Sequence, residues 1–72
     1  MEYIQRLIEL RKESKLSQAK LAEYLNTTQQ QINKYEHEIQ ELPFRRIVQL
    51  ADLYNVSLNW IAGRTDKREI NS

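Results

Sequence analysis

Two stretches with a helical spacing of apolar residues are separated by only two or three residues, within positions 26–28. Leu21 and Leu25 share one face before this break, and Ile32 and Tyr35 share one face after it. A connection this short makes the two helices cross steeply, because there is too little chain to turn them antiparallel. The remaining chain must then close over one side of a steeply crossed pair. This requirement limits the fold more than any other feature of the sequence.

The same periodicity predicts three further helices, so we expect an all-α fold of five helices with the crossed pair as its second and third. The first helix covers about residues 2–14. The fourth begins near Pro43, and the short fifth helix ends at Gly63. The predicted inner face of the first helix carries Tyr3, Leu7 and Leu10, and that of the fourth carries Phe44, Ile47, Leu50, Ala51 and Tyr54. The fifth helix carries Leu58, Trp60 and Ile61.

Polar residues mark the ends of the two central helices. Ser17 is placed to cap the N-terminus of the second helix, and Asn26 tolerates the left-handed conformation that often follows a helix C-terminus. Thr28 and Gln31 match the capping box T-x-x-Q, in which each side chain bonds to the backbone N–H of the other residue. The third helix is therefore expected to begin directly after Thr28.

Length and composition narrow the classes of function. The chain has 72 residues with one Gly, one Pro and no Cys, and its formal net charge is +1. We expect one small domain over residues 1–63, followed by a polar tail, 64–72, that frays. No Ser/His/Asp set, carboxylate pair or glycine-rich loop stands out, so an enzyme is not expected. His37 lacks partners at metal-ligand spacing, so we expect neither a metal nor a cofactor.

The cellular location follows from what the sequence lacks. No apolar run reaches membrane-spanning length, and the N-terminal residues carry no cleavage-site pattern. A small domain without cysteine is typical of a reducing compartment. We therefore expect a cytoplasmic protein, with no membrane partner and no small-molecule ligand.

The outer surface of the third helix is polar if Ile32 and Tyr35 face inward. It then carries Gln29, Gln30, Asn33 and Lys34. A glutamine amide has a donor and an acceptor on one planar group, which matches N6 and N7 of adenine in the major groove. Glutamine-rich helix surfaces are usually only solvated, but this one lies on the second member of a helix-turn-helix pair. We therefore predict that Gln29, Gln30 and Asn33 contact DNA bases.

The helix N-termini in the same region are suited to DNA phosphates. Free backbone N–H groups and a partial positive charge favour an anion at such a position. The predicted phosphate contacts are Gln18, Thr27, Thr28 and Lys34. The loop after the third helix, HEIQELP, is acidic, and we expect Arg45 and Arg46 directly after it to compensate.

The stretch LSQAKLAEYLNTTQQQINKYE resembles the helix-turn-helix of the lambdoid phage repressor and Cro family, also called the xenobiotic-response-element (XRE) family. The resemblance extends over about residues 4–63 and includes the ending NVSLNWIAG. It implies a compact, lambda-repressor-like domain that binds DNA, usually as a dimer on a palindromic operator. It also implies base contacts at Gln29 and Gln30 and a structural ion pair between Arg11 and Glu36.

The expected function is therefore sequence-specific binding of double-stranded DNA by a transcriptional regulator, specifically a dimeric repressor from a bacterium or phage. Leu58 is apolar and lies beside the Ser57 cap, so it is the predicted dimer contact. The alternative is an antitoxin that neutralises a toxin and also represses its own operon. Such a protein needs an added segment to bind the toxin, and the only candidate segment in this sequence is the tail, 64–72. A domain that mediates only protein contacts is a third possibility.

Overall fold

The helices follow the predicted order in the computed structural model, which describes residues 2–69. They are α1 (Glu2–Glu13), α2 (Gln18–Tyr24), α3 (Gln29–Glu36), α4 (Phe44–Tyr54) and α5 (Leu58–Ile61). Residues 2–69 contain no strand, and the prediction of a five-helix, all-α fold is confirmed. Position 1 of the predicted domain and positions 70–72 of the predicted tail lie outside the described residues.

Hydroxyl side chains determine where three of the helices begin. Each accepts a hydrogen bond from the N–H three residues later: Ser17 from Lys20, Thr28 from Gln31 and Ser57 from Trp60, at 3.0–3.2 Å. Such caps satisfy donors that the helix itself leaves unpaired. The prediction that the Gln31 side chain also caps α3 is wrong: within residues 2–69 its Oε1 accepts no hydrogen bond from the Thr28 N–H, and its Nε2 donates to Gln40 Oε1 at 2.8 Å.

The helix C-termini share one backbone device. Each helix is followed by a left-handed residue and then by a residue whose N–H bonds to the carbonyl five positions earlier, which is the Schellman motif. The left-handed residues are Lys15, Asn26, Glu38, Asn55 and Gly63, with φ between 55° and 79°. The returning N–H groups belong to Leu16, Thr27, Ile39, Val56 and Arg64, at 2.8–3.0 Å from their acceptors. The left-handed conformation predicted for Asn26 is confirmed.

The core lies where all the helices meet, and it is entirely apolar or aromatic among the described residues. Its members are Ile4, Leu7, Leu10, Leu21, Ala22, Leu25, Ile32, Tyr35, Leu42, Leu50, Ala51, Val56 and Ile61. Leu42 and Val56 belong to connections, and each follows or precedes a helix rather than lying within its periodic face. Helical periodicity did not identify these two core residues because they lie outside the helices.

Phe44 does not lie in the core, so its placement on the inner face of the fourth helix is wrong. Its side chain is 70% exposed in the first turn of α4. Leu42 fills the core at this end of α4, and Pro43 separates it from the first helical residue. Phe44 instead lies beside Ile47 and Leu58 on the surface.

The polar tail packs against the helices as far as Arg68, so the expectation that it frays is wrong up to that residue. Ser57 N–H donates to the Arg68 carbonyl at 2.7 Å. The Arg68 guanidinium binds both carboxylate oxygens of Glu13 at 2.9 and 3.2 Å. The guanidinium carbons of Arg68 and Arg6 each lie 4.8 Å from the centre of a Trp60 ring. These cation–π contacts connect α1, α5 and the tail.

Candidate nucleic-acid interface

The arrangement of α2 and α3 is set by the short connection between them, residues 25–28. These two helices contact each other more extensively than any other pair of helices in residues 2–69. Asn26 adopts φ 55°, and Thr27 N–H returns to the Ala22 carbonyl at 2.9 Å. Ala22 is buried, and its small side chain permits the close approach of α3. The connection therefore holds α3 in a fixed orientation on α2.

The two sides of α3 differ in the way that a reading helix requires. Ile32 and Tyr35 are buried against the other helices. Gln29, Gln30 and Lys34 are exposed, and Asn33 is half-buried. Together with residues of α2 and the turn, the outer side forms one shallow surface depression, lined by Gln18, Thr28, Gln29, Gln30 and Asn33. The proposed base-contacting residues are therefore neighbours on one surface.

The N-terminal end of α3 opens onto this depression. The Thr28 hydroxyl oxygen accepts the N–H of Gln31, while the N–H groups of Gln29 and Gln30 precede the first intrahelical bond. The Thr28 hydroxyl keeps its own proton, which it can donate to an anion. Thr27 is half-buried, and its backbone N–H is used in the turn. This end of α3 thus offers donors in a region that the helix dipole makes positive.

Arg11 and Glu36 connect α1 to the end of α3. Arg11 Nε lies 2.6 Å from Glu36 Oε2, and Nη2 lies 3.0 Å from Oε1. Both side chains are about seven-eighths buried, with 12% and 13% of their surface exposed. Arg11 Nη1 also donates to the Leu16 carbonyl at 2.8 Å. A single guanidinium therefore fixes both the connection after α1 and the C-terminal turn of α3.

The side chain of Gln18 is turned toward this ion pair. Gln18 Nε2 donates to Glu36 Oε1 at 2.9 Å, and Gln18 Oε1 accepts from Asn33 Nδ2 at 3.4 Å. Its amide, which was predicted to bind a phosphate, thus already has one partner at each end. The sequence contained no signal for this contact, since Gln18 and Glu36 are 18 positions apart.

Tyr54 lies near the same ion pair. Burial raises the pKa of Tyr54 to about 12, the Arg11 guanidinium opposes this shift, and the Glu36 carboxylate adds to it. The Tyr54 hydroxyl is buried and has no hydrogen-bond partner within residues 2–69. The neutral phenol is therefore strongly favoured in the folded protein.

The basic side chains are used in different ways. Lys34 is exposed in the last turn of α3. Arg46 donates from Nη1 to the Leu25 carbonyl at 2.6 Å and to Gln49 Oε1 at 3.0 Å. It thereby satisfies a carbonyl at the end of α2. Its compensation for the acidic loop stays a prediction. Arg45, by contrast, is exposed.

An apolar patch lies on another part of the surface. Leu58 is 40% exposed in the first turn of α5, and it shares a groove with Phe44, Ile47 and Tyr3. The groove also contains Arg64 at its edge. We define the apolar patch as Phe44, Ile47 and Leu58.

No cluster of three or more His, Cys, Asp or Glu side chains within residues 2–69 is placed to hold a metal ion. None of the helices described there has the length and apolar character needed to cross a bilayer.

Comparisons with known proteins agree with this geometry. A helix-turn-helix family model matches residues 7–61. YobD of Bacillus subtilis (strain 168), named as an uncharacterised HTH-type transcriptional regulator, is 42% identical over 64 residues. That match covers 89% of this chain but only 57% of YobD, so the chain spans little more than half the length of this relative. No solved structure matches the chain.

The family match contains the whole of α2, the turn and α3, and it extends from the middle of α1 to the end of α5. It therefore includes the exposed amides of α3 and both members of the Arg11–Glu36 pair. The chain belongs to the XRE-type helix-turn-helix family, a family of DNA-binding proteins that are not enzymes.

Proposed function

We propose that this protein is a transcriptional regulator that inserts α3 into the major groove of double-stranded DNA. The observation that carries the proposal is the position of Gln29 and Gln30, which are exposed at the open N-terminal end of α3. Their side chains have no hydrogen-bond partner within the described residues, so both amides are available to base edges. An amide can pair with N6 and N7 of adenine or donate to guanine.

Phosphate contacts around α3 would hold this helix in register. The N–H groups at the start of α3, the hydroxyls of Thr27 and Thr28, and the Lys34 ammonium are the groups suited to them. The formal net charge of +1 gives little long-range attraction to DNA. Affinity would then depend on a few local contacts, and the measured salt dependence should correspond to few released counterions.

We further propose that the protein is a repressor that acts as a dimer on a palindromic operator. One reading helix contacts only a few base pairs, whereas a symmetric dimer reads two half-sites about 34 Å apart, one turn of DNA. The apolar patch supports this assignment, because Phe44 and Leu58 remain substantially exposed in the single chain. A dimer bound to a promoter would block access of the polymerase to the DNA.

The test of base reading compares Gln29→Ala and Gln30→Ala with the wild-type protein. A preferred operator is first selected from a random DNA pool, and affinities for operator and random DNA are then measured. Each variant should lose about 1–3 kcal/mol on the operator and relax selection at one base pair per half-site. Its melting temperature should not change, because both positions are exposed.

Two further variants make this comparison decisive. Lys34→Ala should weaken binding to all sequences and reduce the salt slope by about one unit, because an ammonium mainly neutralises a phosphate. Gln5→Ala, at an exposed position of α1, should bind as the wild-type protein does. If the α3 glutamine variants weaken operator and random DNA equally, these glutamines do not read sequence.

A further inference from the structure

The Glu36 carboxylate sets the direction of a chain of hydrogen bonds that reaches the DNA-facing surface. Paired with the Arg11 guanidinium, this carboxylate only accepts hydrogen bonds. Gln18 therefore has to present its NH₂ group to Glu36, and Nε2 lies 2.9 Å from Glu36 Oε1. With Nε2 used in this way, Gln18 Oε1 points away from the ion pair. The charge of Glu36 thus fixes the orientation of the Gln18 amide, with its NH₂ group toward Glu36 and its oxygen away from it.

The same reasoning carries over from Gln18 to Asn33. Gln18 Oε1 is an acceptor, and Asn33 Nδ2 lies 3.4 Å from it. This is a long hydrogen bond, but the reversed orientation would place two carbonyl oxygens against each other. The Asn33 amide therefore keeps Nδ2 toward Gln18. Its Oδ1 and the second Nδ2 hydrogen remain for another partner.

Asn33 differs in this respect from the glutamines beside it. The amides of Gln29 and Gln30 have no protein partner within residues 2–69 and can rotate to present either end. Asn33 is half-buried and lines the same depression. Among the three proposed base-contacting amides, that of Asn33 is therefore the one whose polarity is set before DNA arrives.

We infer that Arg11, Glu36 and Gln18 form a polarity relay that makes Asn33 present an acceptor oxygen to the DNA, so that Asn33 selects a base with a major-groove amino group. Adenine fits best, because N6 donates to Oδ1 and N7 accepts the remaining Nδ2 hydrogen. Cytosine offers only the N4 amino group, and the major-groove edge of guanine offers only acceptors. Gln18 is then a positioning residue, and its side chain is not a phosphate ligand. This inference rests on the proposed function.

The experiment measures sequence selection by the wild-type protein, Asn33→Ala and Gln18→Met. Methionine has a length similar to that of glutamine but cannot form the two amide hydrogen bonds. The wild-type protein should select adenine over guanine at one base pair per half-site. Asn33→Ala should lose this discrimination, which corresponds to a ratio of affinities of about 5- to 150-fold. Gln18→Met should lose that discrimination at the same base pair. Its affinity for random DNA and its salt slope should stay unchanged.

Two controls separate positioning from the other roles that Gln18 could have. The double variant Gln18→Met with Asn33→Ala should select adenine over guanine as weakly as Asn33→Ala alone and no more weakly. The reason is that both substitutions remove the same contact between Asn33 and the base. Gln5→Met makes the same substitution at an exposed site on α1 and should change nothing. The inference is overturned if Gln18→Met weakens operator and random DNA by the same factor and keeps the preference at the Asn33 base pair, because that result marks a phosphate ligand.

The outcome for the wild-type protein distinguishes this inference from the proposed function. A clear operator preference with guanine at the Asn33 base pair would overturn the relay while leaving DNA reading intact. If the wild-type protein shows no sequence preference, the proposed function fails. The side-chain amide resonances of Asn33 then still test the relay, which requires them to shift in Gln18→Met and not in Gln5→Met.

Discussion

At the scale of single residues, the contact between Arg11 and Glu36 has the largest expected energetic consequence. Arg11→Ala would remove the ion-pair partner of the Glu36 carboxylate, which is about seven-eighths buried. Within residues 2–69, the Gln18 amide would be its one remaining side-chain partner. Breaking a buried pair in this way costs about 3 kcal/mol, because the remaining charge is uncompensated. We expect urea unfolding to show a loss of this size.

A double replacement separates the cost of an unpaired buried charge from the cost of losing both side chains. Substituting Arg11 and Glu36 together by Met and Leu removes both charges and should restore most of the lost stability, since apolar side chains tolerate this burial. Lys12→Ala, at an exposed position of the same helix, should have little effect. Equal stability of Arg11→Ala and the wild-type protein would show that water reaches the pair and screens it.

The buried phenol of Tyr54 makes a prediction for alkaline pH. Its pKa is about 12 in the folded protein, against 10.0 for the ordinary group. Between these values the unfolded chain loses the phenol proton while the folded protein keeps it, so stability falls as pH rises above about 10. Below the pKa of the phenol in the unfolded chain, both states keep the proton and no stability is lost through this group.

Thermal unfolding across pH 9–12, roughly the window these values define, measures this effect. Tyr54→Phe should show a shallower loss of melting temperature than the wild-type protein. At neutral pH the variant should be about as stable, because the hydroxyl has no partner to lose within residues 2–69. Parallel curves for the two proteins would mean that Tyr54 titrates as an ordinary exposed tyrosine.

At the scale of elements, four of the described helix ends have a residue other than glycine in the left-handed conformation, and glycine would adopt it with less strain. Lys15 has φ 60° at the end of α1, a conformation that costs a side chain with Cβ about 1 kcal/mol or more. Lys15→Gly should therefore stabilise the protein by roughly 0.5–1 kcal/mol in urea unfolding. The gain is partly offset by the greater freedom of glycine in the unfolded chain.

Lys12→Gly is the matched control for this prediction. It removes the same charge from an exposed position three residues earlier, within α1, where the backbone has helical dihedral angles. There glycine should destabilise the protein by up to about 1 kcal/mol. Opposite signs for the two variants identify the backbone conformation as the cause. A loss of stability in both would mean that the Lys15 side chain itself contributes.

At the scale of the whole molecule, the proposed dimer depends on the apolar patch. Leu58→Asp should weaken dimerisation while keeping α5 intact, because aspartate is favourable in the first turn of a helix. Sedimentation equilibrium should show more monomer, and footprints should require more protein to cover both half-sites. The effect on a single half-site should be small.

Leu53→Asp provides the control for this change. Leu53 is 37% exposed on α4, close to the 40% of Leu58, but it lies outside the apolar patch. The Leu53→Asp substitution should leave the monomer–dimer equilibrium unchanged. A footprint of the wild-type protein on one unpaired half-site at saturation would contradict the dimeric mode of action.

The sequence by itself determined the secondary structure and the outward side of α3. Helix type and order depend on the spacing of apolar residues, and the starts of α2, α3 and α5 depend on hydroxyl residues directly before them. Both are local properties, since they involve residues within one or two turns. The exposure of Gln29 and Gln30 follows from the same periodicity, because Ile32 and Tyr35 occupy the inner face.

The tertiary structure alone decided which polar side chains remain free for DNA. Gln18 bonds to Glu36, Arg46 bonds to the Leu25 carbonyl, and Arg68 bonds to Glu13. Each pair is 18 or more positions apart in sequence. The pairing depends on where three-dimensional packing leaves a carboxylate or carbonyl to be satisfied. Local pattern records only that a side chain is polar, whereas packing determines its partner and therefore its role.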